Sequence, residues 1–167
     1  MPKLIAIVGG KHSGKTTIIE HLIAELKRRG YRVGAIKEMV RIPTLDTPQT
    51  ETDRYTIAGA ETIVAVPRDE TVVFIKKRLS LKEILPFVAA LDYVVLEGFE
   101  AEKAMPKIVA AKTADEAQSY LDESAIAVSG VITDLPEETK KLPRLKVPIL
   151  QAIKQAKTLA DLVEKKA

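Results

Sequence analysis

The sequence has 167 residues and contains neither cysteine nor asparagine. Without cysteine the chain has no disulfide and no thiolate ligand for a metal ion. No apolar run reaches the roughly 18–20 residues that span a bilayer. The apolar start leads into a glycine-lysine loop rather than a signal-peptide cleavage site. We therefore expect a cytoplasmic protein without membrane spans.

The excess of positive charge is also small. Lys and Arg number 26 against 23 Asp and Glu, which leaves a scattered net charge of +3. This balance argues against nucleic acid or an anionic membrane as a partner. A chain of this length removes roughly 70% of its unfolded surface from water. Because no repeat, linker or low-complexity segment interrupts it, we predict a single domain over residues 1–167.

Strand and helix patterns alternate along the chain. Predicted strands cover 3–8, 31–37, 92–99, 106–111, 125–133 and 147–150. Predicted helices cover 15–30, 52–60, 81–91 and 152–166. This alternation predicts an α/β fold with a mostly parallel sheet. The strands that flank the turn "PRDE" predict an added β-hairpin at 61–76, and 38–51 is predicted to be a loop.

The segment "GGKHSGKT" follows the first strand and matches the phosphate-binding pattern Gly-x-x-x-x-Gly-Lys-Thr. Its glycines let consecutive N–H groups curl around phosphate oxygens. Lys15 is predicted to act on the outer phosphates as a catalytic residue, and the Thr16 hydroxyl to bind Mg²⁺. The predicted phosphate-binding residues are Gly9, Gly10, Lys11, His12, Ser13, Gly14, Lys15, Thr16 and Thr17. Together with the alternating elements, they predict a three-layer P-loop NTPase fold.

An acidic residue must complete the Mg²⁺ shell, and "LDYVVLEGFE" offers two. Open α/β sheets bind ligands at the carboxyl ends of their strands. Glu97 lies at that end, whereas Asp92 lies about 16 Å away at roughly 3.3 Å per residue. We assign Glu97 to the metal or the attacking water, Gly98 to clearance beside the phosphates, and Asp92 to capping or the surface. A solvated strand-end charge is the alternative for Glu97.

Two further residues are predicted near the same rim. Lys37 ends the second strand, where it either reaches the phosphates or is a solvated strand-end lysine. His12 is expected near bound nucleotide because of its place in the loop, with no catalytic role.

The choice of base is predicted from "VITDLP". The guanine-reading motif Asn-Lys-x-Asp is excluded because the chain has no asparagine. Thr133 and Asp134 are expected to lie at the end of a late strand. A carboxylate there accepts N1–H and N2–H₂ of guanine and repels the acceptor N1 of adenine. Thr-Asp-x-Pro is also typical of a plain turn with an Asp cap.

With these segments in order, the chain resembles the molybdopterin-guanine dinucleotide biosynthesis protein B family (MobB). The matching segments are "GGKHSGKTT", "AIK", "ETDRYTIAGAETIVA", "DYVVLEGFE", "PKIV" and "VITDLP". The phosphate loop is shared by many families, whereas "AGA", "EGF" and "PKI" in this order are more specific.

The resemblance implies a GTP-binding, Mg²⁺-dependent, weakly hydrolysing homodimer. Such proteins are thought to assist the molybdenum cofactor guanylyltransferase that joins GMP to molybdopterin, in molybdenum or tungsten cofactor maturation. By position, 9–17 would hold the phosphates, Glu97 and Gly98 the metal side, and Thr133 and Asp134 the base side. Two positions depart from the family: "KEMVRIPTLD" lacks the histidines common after Lys37, and Glu100 replaces a usual basic residue.

Three functions stay open at this point. The first is a GTP-binding accessory protein with slow GTPase activity, and the second is a P-loop small-molecule kinase. Such kinases usually carry a lid with several arginines, and 38–51 has only Arg41. The third is a non-hydrolysing module that binds nucleotide to order a partner surface.

Overall fold

The computed structural model describes residues 1–39, 46–102, 104–143 and 145–167. The loop predicted at 38–51 therefore lies partly outside the described residues. The chain forms two compact units, Met1–Glu38 with Phe87–Ala167, and Met39–Pro86. Whether the whole chain is one domain, as the sequence predicts, stays a prediction.

The first unit contains a five-stranded sheet in the order β2-β5-β1-β6-β7, and all of its neighbouring strands are parallel. The strands are β1 (Lys3–Val8), β2 (Val33–Lys37), β5 (Tyr93–Glu97), β6 (Lys107–Ala110) and β7 (Ala125–Ser129). The helices are α1 (Lys15–Arg28), α4 (Ala114–Tyr120), α5 (Pro136–Thr139) and α6 (Ala152–Lys166). The predicted α/β fold with a mostly parallel sheet is confirmed.

Both faces of the central strand β1 are buried. Ile5 and Ile7 pack in the core with residues of α1 and α6, including Leu22 and Leu159. Ala6 alternates with them and is also fully buried. An uninterrupted apolar run is what a strand covered on both sides requires. Because β1 and β2 each pair in parallel with β5, the carboxyl ends of these three strands meet at one edge of the sheet.

The second unit contains the predicted β-hairpin, which is confirmed. Its elements are α2 (Glu51–Ile57), β3 (Thr62–Ala65), β4 (Val72–Ile75) and α3 (Leu81–Ile84). The antiparallel pair places Val64 directly opposite Val73. Asp46 is buried and connects α2 with the residue after β4, because its carboxylate accepts from Thr52 Oγ1 and Lys76 Nζ, both at 2.8 Å.

Three predicted elements differ from the structure. The helix predicted at 81–91 ends at Ile84 and continues as a 3-10 helix over Leu85–Val88, because Pro86 has no N–H for the α-helical bond. The strand predicted at 147–150 is a single bridge between Val128 and Ile149. Pro148 has no N–H with which to extend that ladder.

The third difference bears on the predicted base site. The strand predicted at 125–133 stops at Ser129, so the prediction that Asp134 ends a strand is wrong. Gly130 turns the chain with φ 90°, and Val131–Asp134 then form a 3-10 helix. The two short helices α4 and α5 were not predicted. Within the described residues no helix is long and apolar enough to cross a membrane.

Candidate nucleotide-binding site

The loop between β1 and α1 is shaped by backbone that only glycine adopts easily. Gly9 has φ 145°, and a Cβ there would lie 2.0 Å from the Ala110 carbonyl oxygen. Gly14 has φ 95° and is the residue before the first turn of α1. The four first N–H groups of a helix have no partner inside it, so this end attracts anions.

Lys15 lies across the loop rather than extending into solvent. Its Nζ donates to the carbonyl oxygens of Gly9 at 2.8 Å and Gly10 at 2.6 Å. The ammonium group is therefore held above the concave side of the loop, where a phosphate group can accept from it. His12 lies at the loop tip with φ 62°.

A cavity of about 400 Å³ opens on this loop and collects most of the predicted site residues. It is lined by Lys11, His12, Ser13, Gly14, Lys15, Thr16, Lys37, Glu97 and Val131. These residues come from the phosphate loop, the ends of β2 and β5, and the segment after β7. The parallel register explains why the phosphate loop and the ends of β2 and β5 lie together. Glu97 is aligned with Ile7 of β1 on one side and with Lys37 of β2 on the other.

Lys37 and Glu97 form an ion pair at the cavity edge. Lys37 Nζ lies 3.1 Å from Glu97 Oε1, with the carboxylate side chain 15% exposed. The lysine thus offsets the negative charge that Glu97 would otherwise present to a phosphate. Both residues lie on the rim, as the sequence predicts.

Gly98 turns the chain sharply after Glu97. It has φ 90°, and a Cβ there would lie 3.2 Å from Glu38 Cβ. The next residue, Phe99, has φ 56° and donates its N–H to Glu38 Oε2 at 3.2 Å. The positive φ and the close approach of Glu38 therefore account for a glycine at position 98. A place for Gly98 beside phosphates stays a prediction.

Asp92 precedes β5, at the end opposite Glu97. It accepts from the N–H of Arg32 at 2.7 Å and from its guanidinium at 2.9 Å and 3.2 Å. Hydrogen bonds from the Arg32 side chain, and then from its backbone, lower the pKa of Asp92 to about 2. This is the surface role that the sequence predicts for Asp92.

Two residues that the sequence analysis missed support the phosphate loop. Lys112 Nζ donates to the Lys11 carbonyl oxygen at 3.0 Å, and the Lys112 N–H donates to Glu116 Oε2 at 2.6 Å. The other carboxylate oxygen, Glu116 Oε1, lies 2.1 Å from where a Cβ of Gly10 would stand. The sequence feature that could have located Glu116 is its spacing from Thr113, which is typical of a helix cap. In the structure Thr113 Oγ1 accepts from the Glu116 N–H.

This contact predicts that Gly10→Ala lowers the free energy of unfolding by about 0.5–1.5 kcal/mol, because the added methyl group displaces the Glu116 carboxylate from its hydrogen bond with the Lys112 N–H. In a chain that already carries Glu116→Ala, the same substitution should be nearly neutral. Urea unfolding of the two single variants and the double variant measures both values. An equal loss in the two backgrounds would show that Glu116 does not restrict position 10.

The predicted base-side residues line a second cavity, of about 140 Å³. Its lining is Gly14, Thr17, Ile18, Gly130, Val131, Thr133, Asp134, Gln151, Ala152 and Ile153. It shares Gly14 and Val131 with the first cavity. The two cavities therefore adjoin.

Gly130 fixes this arrangement. A Cβ there would lie 2.2 Å from the Ser13 carbonyl oxygen, which accepts from the Val131 N–H at 3.1 Å. The Ile132 N–H donates to the Ala111 carbonyl oxygen at 2.8 Å. Although Asp134 is not at a strand end, the first bond joins its 3-10 helix to the phosphate loop and the second joins it to the residue after β6.

The family model described as molybdopterin guanine dinucleotide synthesis protein B matches residues 4–134. The chain belongs to the MobB family. A Methanocaldococcus jannaschii relative, named as a molybdopterin-guanine dinucleotide biosynthesis adapter protein, is 34% identical over 131 residues, which are 75% of this chain. This chain spans about half of that relative, 54% of its length. The Haemophilus influenzae adapter protein is 30% identical over 165 residues, 96% of this chain and 87% of the relative.

Solved MobB structures share the fold of this MobB-family chain. The Bacillus subtilis MobB structure superposes with a TM-score of 0.75 at 23% identity, and covers 98% of this chain and 96% of that one. The MobB homologue of Bacillus stearothermophilus gives a TM-score of 0.72, also at 23% identity, over 98% and 99% of the two chains. The family match over residues 4–134 confirms the predicted resemblance to MobB, and the two structures show the shared fold.

Proposed function

We propose that this chain binds GTP and acts as an adapter in the synthesis of molybdopterin guanine dinucleotide, with slow Mg²⁺-dependent hydrolysis of the bound GTP. The observation that carries the proposal is the pair of adjoining cavities, one on the phosphate loop and one at Asp134. The relatives' names supply the pathway, since they describe adapter proteins of that synthesis.

The first cavity has the charge that a triphosphate needs. Lys11, Lys15 and Lys37 line it together with the N-terminal end of α1. A cationic side chain and free N–H groups on one concave surface form the strong, charge-assisted hydrogen bonds by which proteins hold phosphate. GTP binding would replace the contacts of Lys15 with the loop carbonyl oxygens by contacts with phosphate.

The donor set at the cavity edge fits Mg²⁺. The Thr16 hydroxyl and the Glu97 carboxylate are hard oxygen ligands, and Mg²⁺ sites commonly use one or two such groups with substrate phosphates. Among the described residues no group of three or more His, Cys, Asp and Glu forms a metal site by itself. Thr16 and Glu97 would hold the ion jointly with the nucleotide, and Mg²⁺ would supply charge neutralisation on the phosphates.

Glu97 is the residue we assign to hydrolysis, through the metal or the attacking water. Glu97→Gln should lower GTP turnover by roughly tenfold or more, since a charged contact of about 1.5 kcal/mol or more is lost. Asp92→Asn, at the residue before β5, where the side chain is bound to Arg32, should leave turnover nearly unchanged. Phosphate release with Mg²⁺ measures both variants, and the reverse ranking would refute the assignment.

The same assay distinguishes the rival functions. Addition of small hydroxyl acceptors should leave the rate of phosphate release unchanged and give no phosphorylated product. A phosphorylated acceptor would identify a kinase instead. Binding of GTP without any turnover would identify a nucleotide-dependent binding module.

We further propose that the chain is a homodimer and that the hairpin of β3 and β4 contributes to the contact. Val64 and Val73 face each other across the hairpin and are 55% and 45% exposed. A two-stranded sheet with apolar exposed side chains and open edges is stabilised by a partner strand or surface. We also propose that the chain's partner is a molybdenum cofactor guanylyltransferase, as the family resemblance implies.

Light scattering at micromolar concentration should therefore give twice the mass of one chain. Val73→Asp should shift the population to monomer, because a charge then replaces apolar surface in the contact. Phe87→Asp, at an exposed phenylalanine outside the hairpin, serves as the control and should leave the dimer intact. A monomeric wild type would refute the dimer, and a dimeric Val73→Asp variant would refute the hairpin's role.

A further inference from the structure

The cavity beside Asp134 has a second polar group to which the sequence analysis assigned no role. Gln151 follows the bridge residue Ile149 and precedes α6, and it lines the cavity together with Asp134. Its N–H donates to Gln155 Oε1 at 2.9 Å, and Gln155 departs from helical geometry with φ −125°. The main chain at Gln151 is thus fixed at the start of the helix.

Asp134 determines the orientation of the Gln151 amide. Gln151 Nε2 donates to Asp134 Oδ1. A carboxylate only accepts hydrogen bonds, so the amide nitrogen must face it and the amide oxygen must face elsewhere. That oxygen, Gln151 Oε1, is buried and has no hydrogen-bond partner among the described residues. Since buried acceptors are nearly always paired, this one requires an explanation.

We propose that Gln151 is a specificity-determining residue for guanine, and that its Oε1 accepts one hydrogen of the 2-amino group. This inference rests on the proposed GTP binding. The edge of guanine carries three N–H bonds, one on N1 and two on the 2-amino group. Asp134 accepts N1–H and one amino hydrogen, and Gln151 accepts the other. Adenine and hypoxanthine have no 2-amino group, so they leave Gln151 Oε1 unpaired.

Inosine triphosphate (ITP), which lacks only the 2-amino group, is the probe. Gln151→Met removes both amide atoms at similar side-chain length. It should weaken GTP binding by roughly 2- to 12-fold, the range for one neutral hydrogen bond, and change ITP binding much less. Gln118→Met, at an exposed glutamine on α4, is the matched control and should change neither affinity.

A second comparison separates direct contact with the base from positioning of Asp134. Gln151→Met in the wild-type background should lower the ratio of GTP to ITP affinity, because only GTP carries the 2-amino group that Gln151 Oε1 accepts from. If Gln151 only orients Asp134 through the bond from Nε2 to Oδ1, the substitution should weaken GTP and ITP together and leave that ratio unchanged. That second result overturns the inference.

The wild-type protein provides a test that needs no variant. N2-methyl-GTP, in which a methyl group replaces one amino hydrogen, should bind roughly 2- to 12-fold more weakly than GTP. Equal binding of the two overturns the inference while GTP binding itself stands. A wild type that binds GTP and ATP equally refutes the proposed guanine site itself. Failure of the proposed function is therefore distinguishable from failure of the role of Gln151.

Discussion

Lys15→Ala should nearly abolish GTP binding while the fold remains intact. The ammonium group lies over the loop, within 2.8 Å of the Gly9 and Gly10 carbonyl oxygens, so it is already placed for a phosphate group. Loss of a charged hydrogen bond costs about 1.5–3 kcal/mol, and Lys15 would contact more than one phosphate oxygen. We expect affinity to fall at least roughly 10- to 150-fold. Alanine is the best helix former, so α1 should start as before.

Isothermal titration with GTP and Mg²⁺ measures the effect, and circular dichroism checks the fold. Lys27→Ala removes the same charge from an exposed position in the last turn of α1, so it is the matched control. It should bind GTP as the wild type does. A Lys15→Ala variant that binds GTP within twofold of the wild type would refute the phosphate-loop assignment.

Asp134→Ala should weaken GTP binding and leave ATP binding almost unchanged. The triphosphate is the same in both nucleotides, so the phosphate loop cannot choose between them. Asp134 lines the adjoining cavity beside Thr17 and Gly14, and its carboxylate is an acceptor only. Losing a charged pair of hydrogen bonds to guanine should cost about 1.5–3 kcal/mol, or roughly 10- to 150-fold in affinity.

Competition titrations with GTP and ATP on both proteins measure this preference. Asp69→Ala removes a carboxylate from the exposed turn of the hairpin and should change neither affinity. If Asp134→Ala weakens GTP and ATP equally, the residue supports the loop rather than reading the base. Equal affinities in the wild type would instead remove the guanine assignment.

Local sequence patterns were enough to predict that the loop at 9–16 and Glu97 lie at the same edge of the sheet, and both line one cavity. The loop consists of eight consecutive residues, and Lys15 contacts the carbonyl oxygens of Gly9 and Gly10 within it. A pattern that is contiguous in the sequence is therefore enough to predict it. Glu97 follows from a continuous apolar run, because the residue that ends such a buried strand lies at the carboxyl edge of a parallel sheet, where ligands bind. Lys37 follows in the same way, and the register that aligns it with Glu97 agrees with this prediction.

Contacts between distant parts of the chain decided the rest. The sequence pattern predicts one strand over residues 125–133, yet Gly130 ends it because its backbone approaches Ser13, more than a hundred positions earlier. The contact of Glu116 with Gly10 and the hydrogen bond of Gln151 to Asp134 likewise join distant residues, and no local sequence pattern predicts either contact. The composition and periodicity of the sequence determined most of the strands and long helices and the place of the glycine-lysine loop. Only the packing of the elements decided which side chains support that loop and which line the adjoining cavity, because periodicity specifies a buried face but not the residue that meets it.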